Sequence, residues 1–264
     1  MNFGKKMNSS EFVNSLFSLE GHVGIITGAS RGLGMGQAKV LADAGAKIYN
    51  FDRGDSSKEE DIPDGKMVDV KIDLTDYEAL EKAVLDVVKN EGKIDFLINN
   101  AGITYKERAE NFPIDKYRLI ERVNLEAVLR LCQLCYPYLK QSEHIGRIVS
   151  ISSMGAYMGF SGVTPYCMTK SGIVGLTHGL AEEWKHDNIL VNSVSPGWFL
   201  TKLNEKMFAD NPDRKAAAAN KPMLDHFGLP TDIGKMMLFL LSNASTYITG
   251  HDFSVDGGAR VHGF

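Results

Sequence analysis

Cysteine is scarce in this chain, three in 264 residues. An odd, small number excludes a disulfide-stapled scaffold and fits a reducing compartment, so the cytoplasm is the expected location. No stretch approaches the roughly 20 apolar residues of a membrane helix. Near the start, Lys5 and Lys6 lead into Asn8-Ser9-Ser10-Glu11 in place of a signal peptide's apolar core, so no membrane partner is expected. Charge of one sign is also missing: 29 basic against 33 acidic residues, net −4, provide no basic surface for nucleic acid. The chain contains no G-x-x-x-x-G-K-[ST], which excludes a P-loop. No His, Cys or carboxylate cluster has metal-ligand spacing, so no metal is expected. Cys132 and Cys135 form a lone C-x-x-C within the long helical pattern Asp115 to Lys140, and without a second pair they read as packing of a buried face. Cys167 adjoins Tyr166, but neighbours on a helix point apart.

What is present is an ordinary globular interior, 44% hydrophobic. Strand-like runs near Val23, Ile48, Met67, Phe96, Ile148, Val191 and Phe253 alternate with helical patterns from about residues 34, 76, 115, 165 and 231. That alternation predicts an α/β fold, a parallel sheet with helices on both faces. No internal repeat interrupts it, and the only low-complexity tract is Ala216 to Ala219. Arg53 to Lys66 reads as an exposed loop. The longest connection, Pro196 to Pro230, is predicted to be a substrate lid over about 197–230, with helix-compatible pieces at Lys202 to Ala209 and Asp213 to Asn220. Trp198, Phe199, Met207 and Phe208 could form its apolar wall or simply pack. Lys202, Lys206, Arg214 and Lys215 could attract a carboxylate or simply face water.

Between the first strand-like run and the helical pattern beyond it lies Thr27-Gly28-Ala29-Ser30-Arg31-Gly32-Leu33-Gly34. Its spacing is G-x-x-x-G-x-G, not the usual G-x-G-x-x-G. Glycines there permit a tight turn and close approach of backbone to a pyrophosphate, whose charge settles on the helix N-terminus. The second run, Ala46 to Phe51, ends at Asp52. A carboxylate at that place accepts hydrogen bonds from an adenosine ribose and repels a 2′-phosphate, which favours NAD over NADP. Arg31 and Arg53 are the opposing signal, being cations placed where they could meet a phosphate or face solvent.

Tyr166 and Lys170 stand four apart and share a helix face. A free phenol, with a pKa near ~10, is a poor base at neutral pH. Lowering it by about three units requires roughly 4 kcal/mol, which a partly desolvated Lys beside a positively charged nicotinamide ring could supply. Tyr166 would then serve as general base. Thr164-Pro165 reads as an N-cap followed by Pro at the first helical position, which puts Tyr166 in the first turn. Upstream, the run Arg147 to Ile151 ends in Ser152-Ser153, where a hydroxyl could meet a substrate oxygen.

With these residues assembled, the chain resembles the short-chain dehydrogenase/reductase family over almost its whole length. The matching motifs are Thr27-Gly28-x-x-x-Gly32-x-Gly34, Asn99-Asn100-Ala101-Gly102, Asn124, Ser153, Tyr166-x-x-x-Lys170, Pro196-Gly197 and Asp256-Gly257-Gly258. The resemblance implies one dinucleotide-binding and catalytic domain over 21–264 behind an extension at 1–20, a Rossmann-type doubly wound sheet of strand order 3-2-1-4-5-6-7, and a homotetramer. It makes Tyr166 the acid/base and Lys170 its electrostatic partner, which also holds the nicotinamide ribose. It makes Ser153, ahead of Ser152, the substrate-orienting serine, and Asn124 the holder of a relay water. Cofactor contacts are expected at Gly28, Ser30, Arg31, Gly32, Leu33 and Gly34, at Asp52, Asp73 and Leu74, at Asn100, Ala101 and Gly102, and at Pro196, Gly197, Phe199 and Thr201. Within the family the chain is most similar to sugar-acid dehydrogenases of the gluconate 5-dehydrogenase and 2-deoxygluconate 3-dehydrogenase type, on Phe17-Ser18-Leu19-Glu20-Gly21, Glu183-Trp184 and Arg214 to Pro222. It departs from them at His226, where relatives carry Arg, and in the added Gly36. The implied activity is NAD(H)-dependent hydride transfer at the carbinol carbon of a sugar acid or polyol. The alternatives are NADPH-dependent reduction of a steroid, acyl thioester or xenobiotic ketone, and a non-catalytic dinucleotide-sensing scaffold.

Overall fold

The computed structural model describes residues 7–56, 61–201, 209 and 212–263. Seven strands, β1 (Val23–Thr27), β2 (Lys47–Asp52), β3 (Met67–Lys71), β4 (Phe96–Asn99), β5 (Gly146–Ile151), β6 (Ile189–Pro196) and β7 (Asp252–Val255), form one sheet in the order 3-2-1-4-5-6-7. Every pairing is parallel. The helices are α1 (Ser9–Phe17), α2 (Gly32–Asp43), α3 (Tyr77–Glu91), α4 (Ile114–Glu121), α5 (Ala127–Leu139), α6 (Thr164–Glu183), α7 (Pro212–Asn220) and α8 (Pro230–Leu241).

Strands β1, β4 and β5, at the centre of the sheet, are buried at every position, as unbroken apolar runs in a parallel sheet require. Alternate residues feed opposite faces. Ile25, Leu97 and Ile148 join one core, under α3, α5 and α6. Ile26, Phe96, Ile98 and Val149 join the other, under α2 and α8. The α3 helix shows how local sequence serves this layering. Its buried residues Leu80, Ala83, Val84 and Val87 recur at helical spacing, Asp76 accepts the Ala79 N–H at its N-terminus, and Gly92 at φ 76° ends it.

Two local expectations need correction, and the N-terminal extension gains a helix. The pattern from Asp115 to Lys140 is one run of chain but not one α-helix: between α4 and α5, residues Arg122–Glu126 form a π-turn in which the Ala127 N–H reaches the Arg122 carbonyl. The α6 helix begins one residue earlier than its capping signal suggests. Val163, without a side-chain cap, is the N-cap, and Thr164 is already helical. Residues 1–20, expected only as an extension, include α1, started by a reciprocal Asn8/Glu11 capping box. Of the expected lid, α7 matches the second helical piece; Lys202, Lys206, Met207 and Phe208 lie outside the described residues. Among the described residues no helix is long and apolar enough to cross a membrane.

The strand order reverses between β2-β1 and β4, where β1 has β2 on one side and β4 on the other. A crevice at the carboxyl ends of strands on either side of such a switch is where open α/β sheets bind ligands. Thr27, Asp52, Asn99 and Ile151 all close their strands at that end.

Candidate active site

The glycine turn between β1 and α2 is pinned from beneath by buried and half-buried side chains. Thr27 Oγ1 accepts the backbone N–H groups of both Asn100 and Ala101 at 3.0 Å. Asn100 Nδ2 donates back to the carbonyls of Thr27 at 2.9 Å and Gly28 at 3.0 Å, and its Oδ1 accepts from Gln37 Nε2 at 2.9 Å. On the other flank Asn50 Oδ1 accepts the Ala29 N–H at 2.9 Å, while Asn50 Nδ2 donates to Ser30 Oγ at 3.0 Å and to Asp69 Oδ1 at 2.8 Å. Gly34 packs so tightly that a Cβ there would collide with the Gly28 carbonyl oxygen. Gly28 itself needs φ 71°.

The residues present fit a dinucleotide. Arg31, the N-cap of α2, makes no side-chain cap, so the first N–H groups of that helix are left for an anion. Arg31 is exposed beside them. A Cβ on Gly32 would meet nothing nearer than Thr201 Cγ2 at 3.7 Å, which brings the start of the long connection alongside the turn. Asp52 accepts the Ser30 N–H at 3.2 Å and the Gly54 N–H at 3.1 Å, and thus stands fixed at the β2 end. Arg53 reaches instead toward Asp73, at 4.0 Å. Asp73 is held mainly by Thr75, whose N–H and hydroxyl keep its carboxyl below the usual range. Leu33, Leu74 and Phe199 spend their side chains in the two cores. Gly197 donates to the Val255 carbonyl at 2.9 Å, which ties the Pro196-Gly197 turn to β7.

At the other end of the crevice Ser153, Tyr166 and Lys170 converge. Ser153 caps a short 3-10 turn, its Oγ accepting the Gly155 N–H at 3.0 Å, and its hydroxyl hydrogen-bonds the Tyr166 phenol. Ser152, the weaker of the two candidates, is buried, and its Oγ donates to the Lys170 carbonyl at 2.8 Å. Lys170 Nζ donates to the Ile151 carbonyl at 2.7 Å and lies 5.7 Å from the Tyr166 ring centroid. A Cβ on Gly102 would stand 3.4 Å from Lys170 Nζ and 3.5 Å from Asn124 Oδ1, so these two groups border one small space. Asn124 sits in the π-turn, buried. Its Oδ1 accepts the Ile103 N–H at 2.9 Å, and its Nδ2 donates to the Ile103 carbonyl and to Thr169 Oγ1, both at 3.0 Å.

Burial holds Tyr166 above its ordinary value, only partly offset by the Ser153 hydrogen bond. Burial also brings Lys170 down to about 8. Cys167, expected to point away, turns its sulfur toward the same space: a Cβ on Gly155 would lie 3.2 Å from Cys167 Sγ and 3.4 Å from Ser153 Oγ. Its thiol adds to the upward push on Tyr166. Cys132 and Cys135 are fully buried under the sheet, away from these groups, and burial raises both thiols.

Several residues here escape a reading of motifs. Thr27 lies inside the glycine motif without a role of its own, and Gln37 and Asn50 interrupt otherwise apolar, buried surfaces. That interruption is the one signal that could have singled them out. Tyr157, just beyond the Ser153 turn, donates to Asp252 Oδ2 at 3.0 Å under the Arg260 guanidinium, which lies 4.0 Å from its ring centroid.

Comparison with known proteins shows the family of the chain. A family model described as enoyl-(acyl carrier protein) reductase matches residues 28–260. A 2-dehydro-3-deoxy-D-gluconate 5-dehydrogenase of Bacillus subtilis is 34% identical over 94% of this chain and 98% of its own length. A 3-oxoacyl-[acyl-carrier-protein] reductase of Thermotoga maritima is 34% identical over 92% of this chain and 99% of its own. Among solved structures, a protein of Agrobacterium tumefaciens classed provisionally as a 2-deoxy-D-gluconate 3-dehydrogenase, with NADP bound, superposes with a TM-score of 0.85 at 31% identity, covering 93% of this chain and 99% of the other.

Proposed function

The chain belongs to the short-chain dehydrogenase/reductase family, and from that premise we propose that this oxidoreductase moves hydride between NAD(H) and the carbinol or ketone carbon of a sugar acid or related polyol. The observation that carries the reading is the convergence of Ser153, Tyr166 and Lys170 on one mouth beside the glycine turn. When bound, the nicotinamide supplies the two-electron hydride acceptor. In the oxidative direction Tyr166 takes the proton of the carbinol oxygen, and Ser153 Oγ hydrogen-bonds that same oxygen. Lys170 is the charge that favours the phenolate, and Asn124 Oδ1, with one lone pair used by Ile103, is the group proposed to hold a relay water. The Gly28 to Gly34 turn and the uncapped α2 N-terminus are proposed to take the pyrophosphate, Asp52 the adenosine ribose, Asp73 and Leu74 the adenine, and the Asn100 to Gly102 turn the face along the sheet. Pro196, Gly197, Phe199 and Thr201 are proposed to flank the carboxamide.

NAD is preferred in this reading because Asp52 is fixed at the end of β2 by two backbone donors, where its charge opposes a 2′-phosphate. The NADP in the Agrobacterium neighbour and the reductase name of the Thermotoga relative support a second reading, NADPH-linked reduction of a ketone. The separating experiment is the initial rate of dinucleotide reduction with D-gluconate, 2-dehydro-3-deoxy-D-gluconate and simple polyols, with NAD⁺ and NADP⁺ in parallel. Turnover of a sugar acid with NAD⁺ supports the first reading. Activity confined to ketones with NADPH supports the second. The proposal further comprises a single catalytic domain over 21–264 with its lid at 197–230, a cytoplasmic location and a homotetramer, the last of which a monomer by light scattering would refute.

A further inference from the structure

The chain between β4 and α4 crosses the mouth of the site on two fixed points. At one, Ile103 is clasped by Asn124, whose Oδ1 accepts its N–H at 2.9 Å and whose Nδ2 donates to its carbonyl at 3.0 Å. That clasp stands next to Lys170 Nζ, across the space beside Gly102. At the other, the Glu107 N–H donates to the Gly162 carbonyl at 2.9 Å. Gly162 lies two residues ahead of α6, whose first turn carries Tyr166. Thr104, Tyr105 and Lys106 therefore span from the floor of the catalytic mouth to its rim, and all three are exposed.

Lys106 is aligned by the second anchor. Gly162 has φ 80°, and a Cβ there would stand 3.3 Å from Lys106 Cγ and 3.6 Å from Lys106 Cε. The aliphatic stem thus lies against the bare glycine backbone, with its ammonium beyond. The other charges of this stretch are engaged. Arg108 Nε pairs with Glu110 at 2.6 Å, and Lys116 pairs with Asp115 at 3.7 Å and lies 6.0 Å over the Tyr105 ring. The neighbouring Glu107 turns its Oε1 to the Arg108 N–H at 2.8 Å. Lys106 has no carboxylate partner among the described residues.

Resting on the sugar-acid reading above, we infer that Lys106 is the specificity-determining cation of this enzyme, taking the carboxylate of a polyhydroxy acid whose carbinol oxygen, several carbons away, lies between Ser153 and Tyr166. The interaction is a solvent-edge, charge-assisted hydrogen bond that contributes to binding the acid in ground and transition state alike. It therefore acts on KM rather than on kcat.

The test compares wild type, Lys106→Met and Lys106→Arg on D-gluconate, 2-dehydro-3-deoxy-D-gluconate and the neutral polyol D-glucitol, with saturating dinucleotide. Methionine keeps a stem over Gly162 and removes the charge. The expected result is a rise in KM for the acid of about 10- to 100-fold, the range of one hydrogen bond to a charged group, with kcat unchanged, D-glucitol kinetics unchanged, and arginine restoring most of the loss. Wild-type KM for the acid also climbs with salt, and the Lys106→Met value does not. An equal change on acid and polyol, or none on either, overturns the assignment of Lys106 while leaving the sugar-acid reading intact. Failure of wild type itself to turn over either acid overturns the substrate reading and this inference with it.

Discussion

At the glycine-turn end of the crevice, proposed to take the pyrophosphate, Thr27, Gln37, Asn50 and Asn100 hold a backbone shape through hydrogen bonds, and none of the four carries a charge. At the proposed chemical end, the buried Lys170 and the half-buried Tyr166 sit in a place that disfavours their charged forms. The first end therefore works by geometry and fails by steric or hydrogen-bond loss. The second, in the proposed mechanism, works by protonation and fails by a change in charge. A substitution at one end should leave a signature that the other end cannot produce, and that difference can be broken or sharpened by experiment.

The largest effect is expected from Tyr166→Phe. It removes the proposed proton acceptor and one hydroxyl while keeping the ring, so turnover falls by about 10²- to 10⁴-fold, the usual share of general acid–base catalysis. Dinucleotide affinity, measured by fluorescence titration, stays within a few-fold. Unchanged turnover would remove Tyr166 from the chemistry. Next comes Lys170→Met, which also loses activity but has a second readout in stability. The drop of Lys170 from its ordinary 10.5 to about 8 corresponds to roughly 3 kcal/mol of cost for keeping it charged in the fold. Between pH 8 and 10.5 the unfolded chain holds a proton that the folded chain has released, so wild-type stability gains with rising pH across that window. The methionine variant is accordingly the more stable protein near pH 7, less about 1 kcal/mol for the Ile151 carbonyl left without its donor. That advantage closes by pH 10.5. Urea unfolding of both at several pH values checks it, and a gap that is flat with pH would mean Lys170 is not destabilised by burial.

The geometric end answers differently. Gly34→Ala forces a methyl group onto the Gly28 carbonyl oxygen and must push the turn open, so the dinucleotide dissociation constant should rise by about tenfold or more, without any change in the pH dependence of turnover. Thr27→Val keeps the shape and removes the acceptor for two N–H groups. Its cost is about 1–3 kcal/mol of stability per buried group left unsatisfied, read as a lower urea midpoint. If Thr27→Val instead shifts the pH profile, the separation of the two ends is wrong.

The two ends also differ in how far they can be read from sequence. Tyr166 and Lys170 are legible because their relation is local, one helix turn apart, and the glycines are legible because few other residues serve such a turn. The sheet was legible from buried apolar runs spaced by helical patterns; its order needed the family resemblance. What supports the glycine turn is invisible in a linear motif, since Gln37 and Asn100 are 63 positions apart and Thr27 and Asn100 are 73. The π-turn at Asn124 is hidden for a related reason: its i→i+5 bond comes with an Asn side chain that closes on Ile103 and Thr169, distant in sequence. By contrast, the Asn8-x-x-Glu11 box of α1 is a local helix-start signature that was open to reading. Cys167 shows the limit of local rules, because adjacency on a helix did not keep its sulfur away from the space beside Ser153.

The smallest effect joins the two styles, because Asp52 is a charge held by geometry. Its two oxygens accept the backbone N–H groups of Ser30 and Gly54, so Asp52→Asn keeps one acceptor oxygen in place and removes the charge without emptying the site. A 2′-phosphate brought near that carboxylate is repelled, and at solvent-edge distances the repulsion is about 1–2 kcal/mol. The ratio of kcat/KM for NADP⁺ to that for NAD⁺ should therefore rise about tenfold in the variant. Raising the ionic strength should narrow the difference between wild type and variant, since the repulsion is screened. Should the ratio stay fixed, Arg31, exposed at the head of α2, would govern the choice of dinucleotide. Arg31→Ala would then lower NADP⁺ use, and Asp52 would keep only its part in holding the turn.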